Sequence, residues 1–191
     1  LFIGVELGVD FVSVAVTDFL GKIIWRKRED ANPNEDQSKM INQTLQIVKE
    51  AMAAGKKKNT RFLGLGLATP GTVDIKDGVL IFAPNLHWRN VPFGKLFSEQ
   101  TKLRVFVEND ANAAAIAEHL FGTARQCQDF IFVFAGVGIG GGTLSQFGIY
   151  TDYRTLTHSR LDDEGRMLVT GENADRDVFK VPGLRNVDKT Y

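Results

Sequence analysis

Asn109 and Asp110 stand where a short apolar run, Val105-Phe106-Val107, gives way to the alanine-rich stretch Ala111-Asn112-Ala113-Ala114-Ala115-Ile116. The run reads as a buried strand, and Ala111 to Leu120 reads as a helix. A carboxylate at that junction lies on the edge where open α/β sheets bind ligands. Two roles fit Asp110. As a helix cap it would contribute about 1 kcal/mol, and as a general base toward a substrate hydroxyl about 10²–10⁴ in rate. A second candidate is Gly136–Gly142, with glycine at five of seven positions directly after the apolar strand Asp129–Ala135. Successive N–H groups without a Cβ can form a nest for phosphate oxygens. The competing reading is a hairpin with bulges, which needs only one or two glycines. The run does not open a helix, so a dinucleotide fingerprint is rejected.

The elements that must position these residues follow from periodicity. Phe2–Leu7, Val12–Thr17 and a strand opening at Ile23-Ile24-Trp25 are joined by short turns, an antiparallel meander. From Glu35 to Ala54 the apolar residues Ile41, Leu45, Val48 and Met52 fall on one helical face, with Gly55 as the expected stop. Lys56-Lys57-Lys58 reads as a solvated helix end that suits the dipole. Phe62–Thr69 is a fourth strand, Pro70-Gly71 turns the chain, and Thr72–Asp77 with Gly78–Ile81 forms a small hairpin. A loop through Pro84–Trp88 leads to a helix near Pro92–Thr101. The order is β-β-β-α-β-α-β-α-β. Phe130, Phe132 and Phe134 fall on one side of the last strand, Ile131 and Val133 on the other, and in a complete fold both sides are expected to be buried.

Composition narrows the class. Lys+Arg and Asp+Glu balance at 23 each, so no global field favours nucleic acid. The single Cys127 excludes an internal disulfide and any Cys-pair metal site. No apolar run is long enough to span a membrane, no signal peptide is visible, and a reducing cytoplasm is the expected compartment. The chain opens on Leu1 already in a strand, so residues upstream are expected to exist.

The fold pattern resembles one lobe of the ribonuclease H-like class that sugar kinases, actin and the Hsp70 chaperones build around a nucleotide cleft. Four blocks in order resemble the ROK family of repressors and sugar kinases, over about residues 1 to 143. These are Gly4–Gly8, Ala68–Asp74, Glu108–Ala114 and Gly138–Gly142. The resemblance implies that Asp110 takes the proton from the sugar hydroxyl attacked on the γ-phosphate of ATP. It also implies that Gly71, Asn109 and Asp110 hold the sugar, and that Glu6, Gly8, Gly138, Gly140 and Gly141 surround phosphate.

The departures carry as much information. Family kinases have Asp-x-Gly-Gly-Thr-Lys in the first loop, and here those positions are Glu6, Leu7, Gly8, Val9, Asp10 and Phe11. Asp10 would face phosphate with like charge, whereas phosphoryl transfer depends on positive groups and donors there. The pattern resembles the family's transcriptional regulators, in which a winged helix-turn-helix domain precedes this lobe and alone would contact DNA. The family's later His/Cys cluster has no counterpart here, since only His158 follows the glycine run, so no zinc site is expected. ATP and Mg enter only if the chain is a kinase. A homo-oligomer is expected.

From about Leu144 the composition shifts. Gly165–Gly171 and Phe179–Val187 resemble the C-terminal part of bacterial di-haem cytochrome c peroxidases. No Cys-x-x-Cys-His is present, so no haem is expected. The expected organisation is therefore residues 1–128 as the ROK-like lobe, 129–143 as the start of a second lobe, and 144–191 as an unrelated tail. Its origin stays open between fusion, chimera and an error in the sequence. For the whole, three readings stand: a regulator's sugar-sensing lobe, a sugar kinase, and a non-catalytic fragment that binds nothing.

Overall fold

The computed structural model describes residues 1–32, 36–56, 61–135, 139–145 and 148–149 of the chain. The chain groups into two compact units, Leu1–Thr151 and Asp152–Tyr191. The second unit lies outside the described residues. So do the expectations for His158, Lys57, Lys58 and the tail.

Alternating valines make the first meander: β1 (Phe2–Leu7), β2 (Phe11–Thr17) and β3 (Ile23–Asp30) pair antiparallel in turn. Helix α1 (Gln37–Lys56) crosses over to β4 (Gly64–Thr69), which pairs parallel with β1. A small antiparallel sheet of β5 (Thr72–Asp74), β6 (Val79–Ala83) and β7 (Trp88–Val91) follows, with a 3-10 turn at Pro84–Leu86 before β7. Helix α2 (Phe93–Thr101) then leads to β8 (Val105–Asn109), which pairs parallel with β4. The main sheet has the order β3-β2-β1-β4-β8. Helix α3 (Asp110–Phe121) leaves the end of β8, and a third sheet has the order β11-β10-β9. Its strands are β9 (Phe130–Ala135), β10 (Ile139–Ser145) and β11 (Gly148–Ile149). This is the ribonuclease H-like α/β arrangement expected from the sequence.

One face of the main sheet is the core. Ile3, Val5, Leu7, Val12, Val14, Val16, Leu65, Leu67 and Val107 are buried there with Phe93 and Phe97 of α2. Helix α1 presents Met40, Thr44, Ile47, Val48 and Ala51 as its buried positions, while Ile41, Leu45 and Met52 are only partly buried. The expected face is thus rotated by about one residue. Thr44 fits the core because its hydroxyl donates to the Met40 carbonyl at 2.7 Å, which leaves no unpaired polar atom.

Three further expectations are corrected. Gly55 does not stop α1. It lies inside the helix, and a side chain there would run into the Phe62 ring. The loop after Pro84 contains β7, which the sequence reading missed. The glycine run is not a loop from Ile139 onward, since Gly140, Gly141 and Gly142 are residues of β10 opposite Phe134, Val133 and Phe132. Gly138 falls outside the described residues.

Candidate functional site

The parallel strands β1, β4 and β8 end side by side, and the chemistry-bearing residues sit at or just beyond their carboxyl ends. The ladder register sets Arg28, Ser13, Glu6, Ala68 and Glu108 in one row across five strands. A second row behind it is Arg26, Ala15, Gly4, Gly66 and Phe106. Side chains alternate between faces of a strand, so both rows look away from the core. All of them but Arg28 line an open groove of about 430 Å³ that also touches Ala113 of α3.

At the junction of β8 and α3 the polar groups are tightly connected. Asn109 is the N-cap of α3: its backbone is extended, and its Oδ1 accepts the Asn112 N–H at 3.1 Å. The same amide donates from Nδ2 to the Gly71 carbonyl at 2.9 Å. Glu108 Oε1 accepts the Asn109 N–H at 2.8 Å and the Asn112 Nδ2 at 3.2 Å. Asp110, the first residue of α3 and half-buried, accepts the Ala111 N–H on Oδ1 at 2.8 Å. Capping is therefore shared between Asn109 and Asp110.

Gly71 occupies a position only glycine fits. Its φ is +104°, and a Cβ would collide with the Phe82 carbonyl and with Ala83 at the end of β6. The structure thus brings together Gly71, Asn109 and Asp110, the residues to which the family resemblance assigns the sugar.

Glu6 shares this rim. Burial pushes its carboxyl above the usual carboxylate range. The Arg28 guanidinium opposes that rise, the Asp110 carboxylate adds to it, and Arg26 opposes it. Glu6 and Asp110 therefore sense one another across the end of the sheet.

The turn after β1 is closed by the protein itself. Gly8 donates its N–H to the Phe11 carbonyl at 2.9 Å, and the Phe11 ring lies where a side chain on Gly8 would be. Arg28 stacks on that ring, its guanidinium carbon 3.6 Å from the ring centroid. This pair escaped the sequence reading. Its signal was the alternation that puts Arg26 and Arg28 on the Ser13 face of the meander. Glu108 has no role in the sequence reading, although its alternation with Phe106 directs it to the groove.

The arrangement does not suit a nucleotide phosphate at the first turn. A ring fills the space over Gly8, and that ring belongs to Phe11, which stands at the position where the kinase pattern carries its lysine. Toward a polyol, however, the rim offers hydrogen-bond acceptors on Asp110 and Glu108 and a fixed glycine turn. The third sheet adds a close contact: a Cβ on Gly142 would lie 2.6 Å from the Ala111 carbonyl and 2.9 Å from Ala115 Cβ. Strand β10 therefore packs directly on the first turns of α3. Among the described residues no group of three or more His, Cys, Asp or Glu side chains could hold a metal ion, and no helix is long and apolar enough to cross a membrane.

The family model described as the ROK family matches residues 2–165, so the likeness runs past residue 143, where the sequence reading ended it. The xylose repressor of Caldicellulosiruptor bescii is 30% identical over 142 residues, covering 74% of this chain and 36% of the repressor. The glucokinase of Thermotoga maritima is 34% identical over 147 residues, covering 75% of this chain and 44% of that enzyme. A solved ROK family glucokinase from Streptomyces griseus, in complex with glucose and AMPPNP, is similar at a TM-score of 0.67 and 28% identity. That likeness covers 86% of this chain and 52% of the glucokinase. The chain spans 36% to 52% of the length of these three proteins.

Proposed function

The chain belongs to the ROK family, and on that premise we propose that it is the sugar-sensing lobe of a transcriptional regulator and does not transfer phosphate. The observation that carries this reading is the first turn, where Phe11 lies over Gly8 and Arg28 stacks on Phe11. Phosphoryl transfer works by placing donors and cations around the γ-phosphate. Here the space over Gly8 is taken by the Phe11 ring, and the cations nearby are already engaged: Arg28 stacks on that ring and, with Arg26, acts on the Glu6 carboxyl. A neutral sugar meets no such obstacle at Gly71, Asn109 and Asp110. Hydroxyls of a pentose or hexose would donate to the Asp110 and Glu108 carboxylates, and the Gly71 turn would set the ring's position.

In this reading the effector is a small neutral sugar of the xylose or glucose type, after the relatives that bear those names. DNA contact comes from a winged helix-turn-helix domain of the longer regulator, which acts in the cytoplasm as a homo-oligomer. The residues of the sugar site are Gly71, Asn109 and Asp110, with Glu6 and Gly8 left as vestiges of a phosphate loop. Gly140 and Gly141, and Gly138 with them, keep that role only in the second reading. The peroxidase-like run Phe179–Val187 has no haem chemistry here, because covalent attachment needs Cys-x-x-Cys-His and the chain has one cysteine.

The second reading is an ATP-dependent sugar kinase, and the identity to the Thermotoga glucokinase favours it. A coupled ADP-release assay on the full-length parent protein with D-glucose, Mg and ATP, run beside calorimetry with D-xylose and D-glucose, separates the two. Sugar binding without turnover supports the regulator. Turnover that Asp110→Asn abolishes would establish the kinase, with Asp110 as its base.

A further inference from the structure

We infer that Asn109 is a positioning residue, a brace that fixes the Gly71 turn to the first turn of α3 before any ligand arrives. The inference starts from the hydrogen-bond capacity of one amide. A primary amide has a carbonyl oxygen that only accepts and a nitrogen that only donates. In Asn109 the oxygen takes the Asn112 N–H at 3.1 Å and the nitrogen gives to the Gly71 carbonyl at 2.9 Å. Each partner accepts only one orientation of the amide, so the side chain cannot be flipped without losing both bonds.

The two ends of the brace are far apart in the chain, 38 residues, and each end is itself held. At the far end, the positive φ of Gly71 and the missing Cβ let the turn sit against the Phe82 carbonyl and Ala83. That contact is backbone on backbone and fixes one side of the turn. The Asn109 amide fixes the other. At the near end, the Asn109 backbone N–H is bound by Glu108 Oε1, and the same oxygen holds the Asn112 side chain. Asn109 therefore has little freedom of its own. Asp110 follows it directly as the first residue of α3.

The consequence is geometric. The β4–β8 ladder brings Thr69 beside Asn109, and beyond its end the Gly71 turn is tied to α3 by this one side-chain bond, since no other side-chain hydrogen bond between the turn and α3 is found among the described residues. A ligand gripped by both surfaces would find them already in place, which lowers the ordering cost of binding. The link to a sugar rests on the reading proposed above. The brace itself does not.

Asn109→Asp isolates the brace from the cap. Aspartate is as good an N-cap as asparagine, yet it offers the Gly71 carbonyl an acceptor in place of a donor. The measurement is amide hydrogen exchange by NMR on the unliganded 191-residue chain, with D-xylose and D-glucose titrations alongside. In Asn109→Asp the Asn112 amide should stay protected, while the Gly71 and Thr72 amides exchange about tenfold faster, the change expected for one lost hydrogen bond. Where the wild type binds a sugar, the variant should bind it about tenfold more weakly. Asn109→Ser provides the same test should the aspartate variant fail to fold, because serine also caps and is too short to reach Gly71.

Unchanged exchange at Gly71 and Thr72 in either variant overturns the brace, even if sugar affinity falls, since Asn109 would then act only as a ligand. Faster exchange at those amides, with neither sugar bound by the wild type, upholds the brace and removes the sugar reading.

Discussion

Strands β1 and β9 start from nearly the same text, Phe2-Ile3-Gly4-Val5 and Phe130-Ile131-Phe132-Val133, and each is six residues long. Each is followed by a seven-residue antiparallel partner. Their fates differ. Ile3 and Val5 are 1% and 3% exposed beneath the helices, whereas Ile131 and Val133 are 74% and 59% exposed. Strand β1 has β4 beside it and α1 packed over its core face, whereas β9 ends its sheet and meets α3 through Phe130, with nothing described over Ile131 and Val133. Apolar alternation therefore marks a face that is meant for burial, and the neighbouring elements decide whether burial occurs. The glycines teach the same lesson at both ends. Gly8 makes room for the Phe11 ring and Gly142 makes room for α3, so each glycine is occupied by the protein's own atoms.

The comparison is broken most severely by removing equivalent side chains. Ile3→Ala should cost about 2–5 kcal/mol, the range for large-to-small changes in a packed core. Ile131→Ala should cost within about 0.5 kcal/mol, as for an exposed site. Urea denaturation of both variants checks this, and equal losses would mean that β9 is covered in solution.

The glycines come next. Gly142→Leu should destabilise by about 1–3 kcal/mol, because the added side chain meets the Ala111 carbonyl and Ala115. Gly141→Ala is the control: its Cβ would lie 3.7 Å from the Phe132 carbonyl, ordinary contact, and the loss should stay below about 1 kcal/mol. Thermal melts of the two variants, compared with the wild type, measure the difference.

The smallest effect concerns charge at the first turn. The Glu6 carboxyl is raised by burial, so the folded chain holds that proton more tightly than the unfolded chain does. Its contribution is fully present below the ordinary glutamate value of 4.5 and is lost as pH rises through the raised value. Glu6→Gln should therefore gain on the wild type as pH rises above about 4.5, by less than about 1 kcal/mol because the group is half-exposed and screened. A gain that grows toward acid would reverse the sign and disprove the assignment.

Much of this was legible in the sequence. The valine alternation of β2 and the strand-to-helix switch at Asn109-Asp110 have strong periods, and they located the meander, β8 and α3. Pro70-Gly71 marked a turn whose positive φ the structure requires. Strand β7 was hidden because Trp88-Arg89-Asn90-Val91 is only four residues long and bends through Asn90 at a φ of 52°. The face of α1 was misjudged because Thr44 and Ala51 do not advertise burial, and the hydroxyl is satisfied by a bond no periodicity reveals. The glycine run looked like a loop because glycines carry no side-chain pattern by which a strand could be recognised. Phe11 and Arg28 lie on different strands, and only the β2–β3 register brings them together.

The central claim is that the rim at Gly71, Asn109 and Asp110 receives a neutral sugar while the turn at Gly8 and Phe11 is shut to phosphate. Backbone amide shifts of the isotopically labelled chain, followed during separate titrations with D-xylose, D-glucose and Mg-ATP, test both halves at once. The account predicts saturable shifts at Gly71, Thr72, Asp110 and Ala111 with one of the sugars, and none at Gly8 to Phe11 with Mg-ATP. Saturable shifts at Gly8 to Phe11 with Mg-ATP, or a rim that answers to neither sugar, would contradict it.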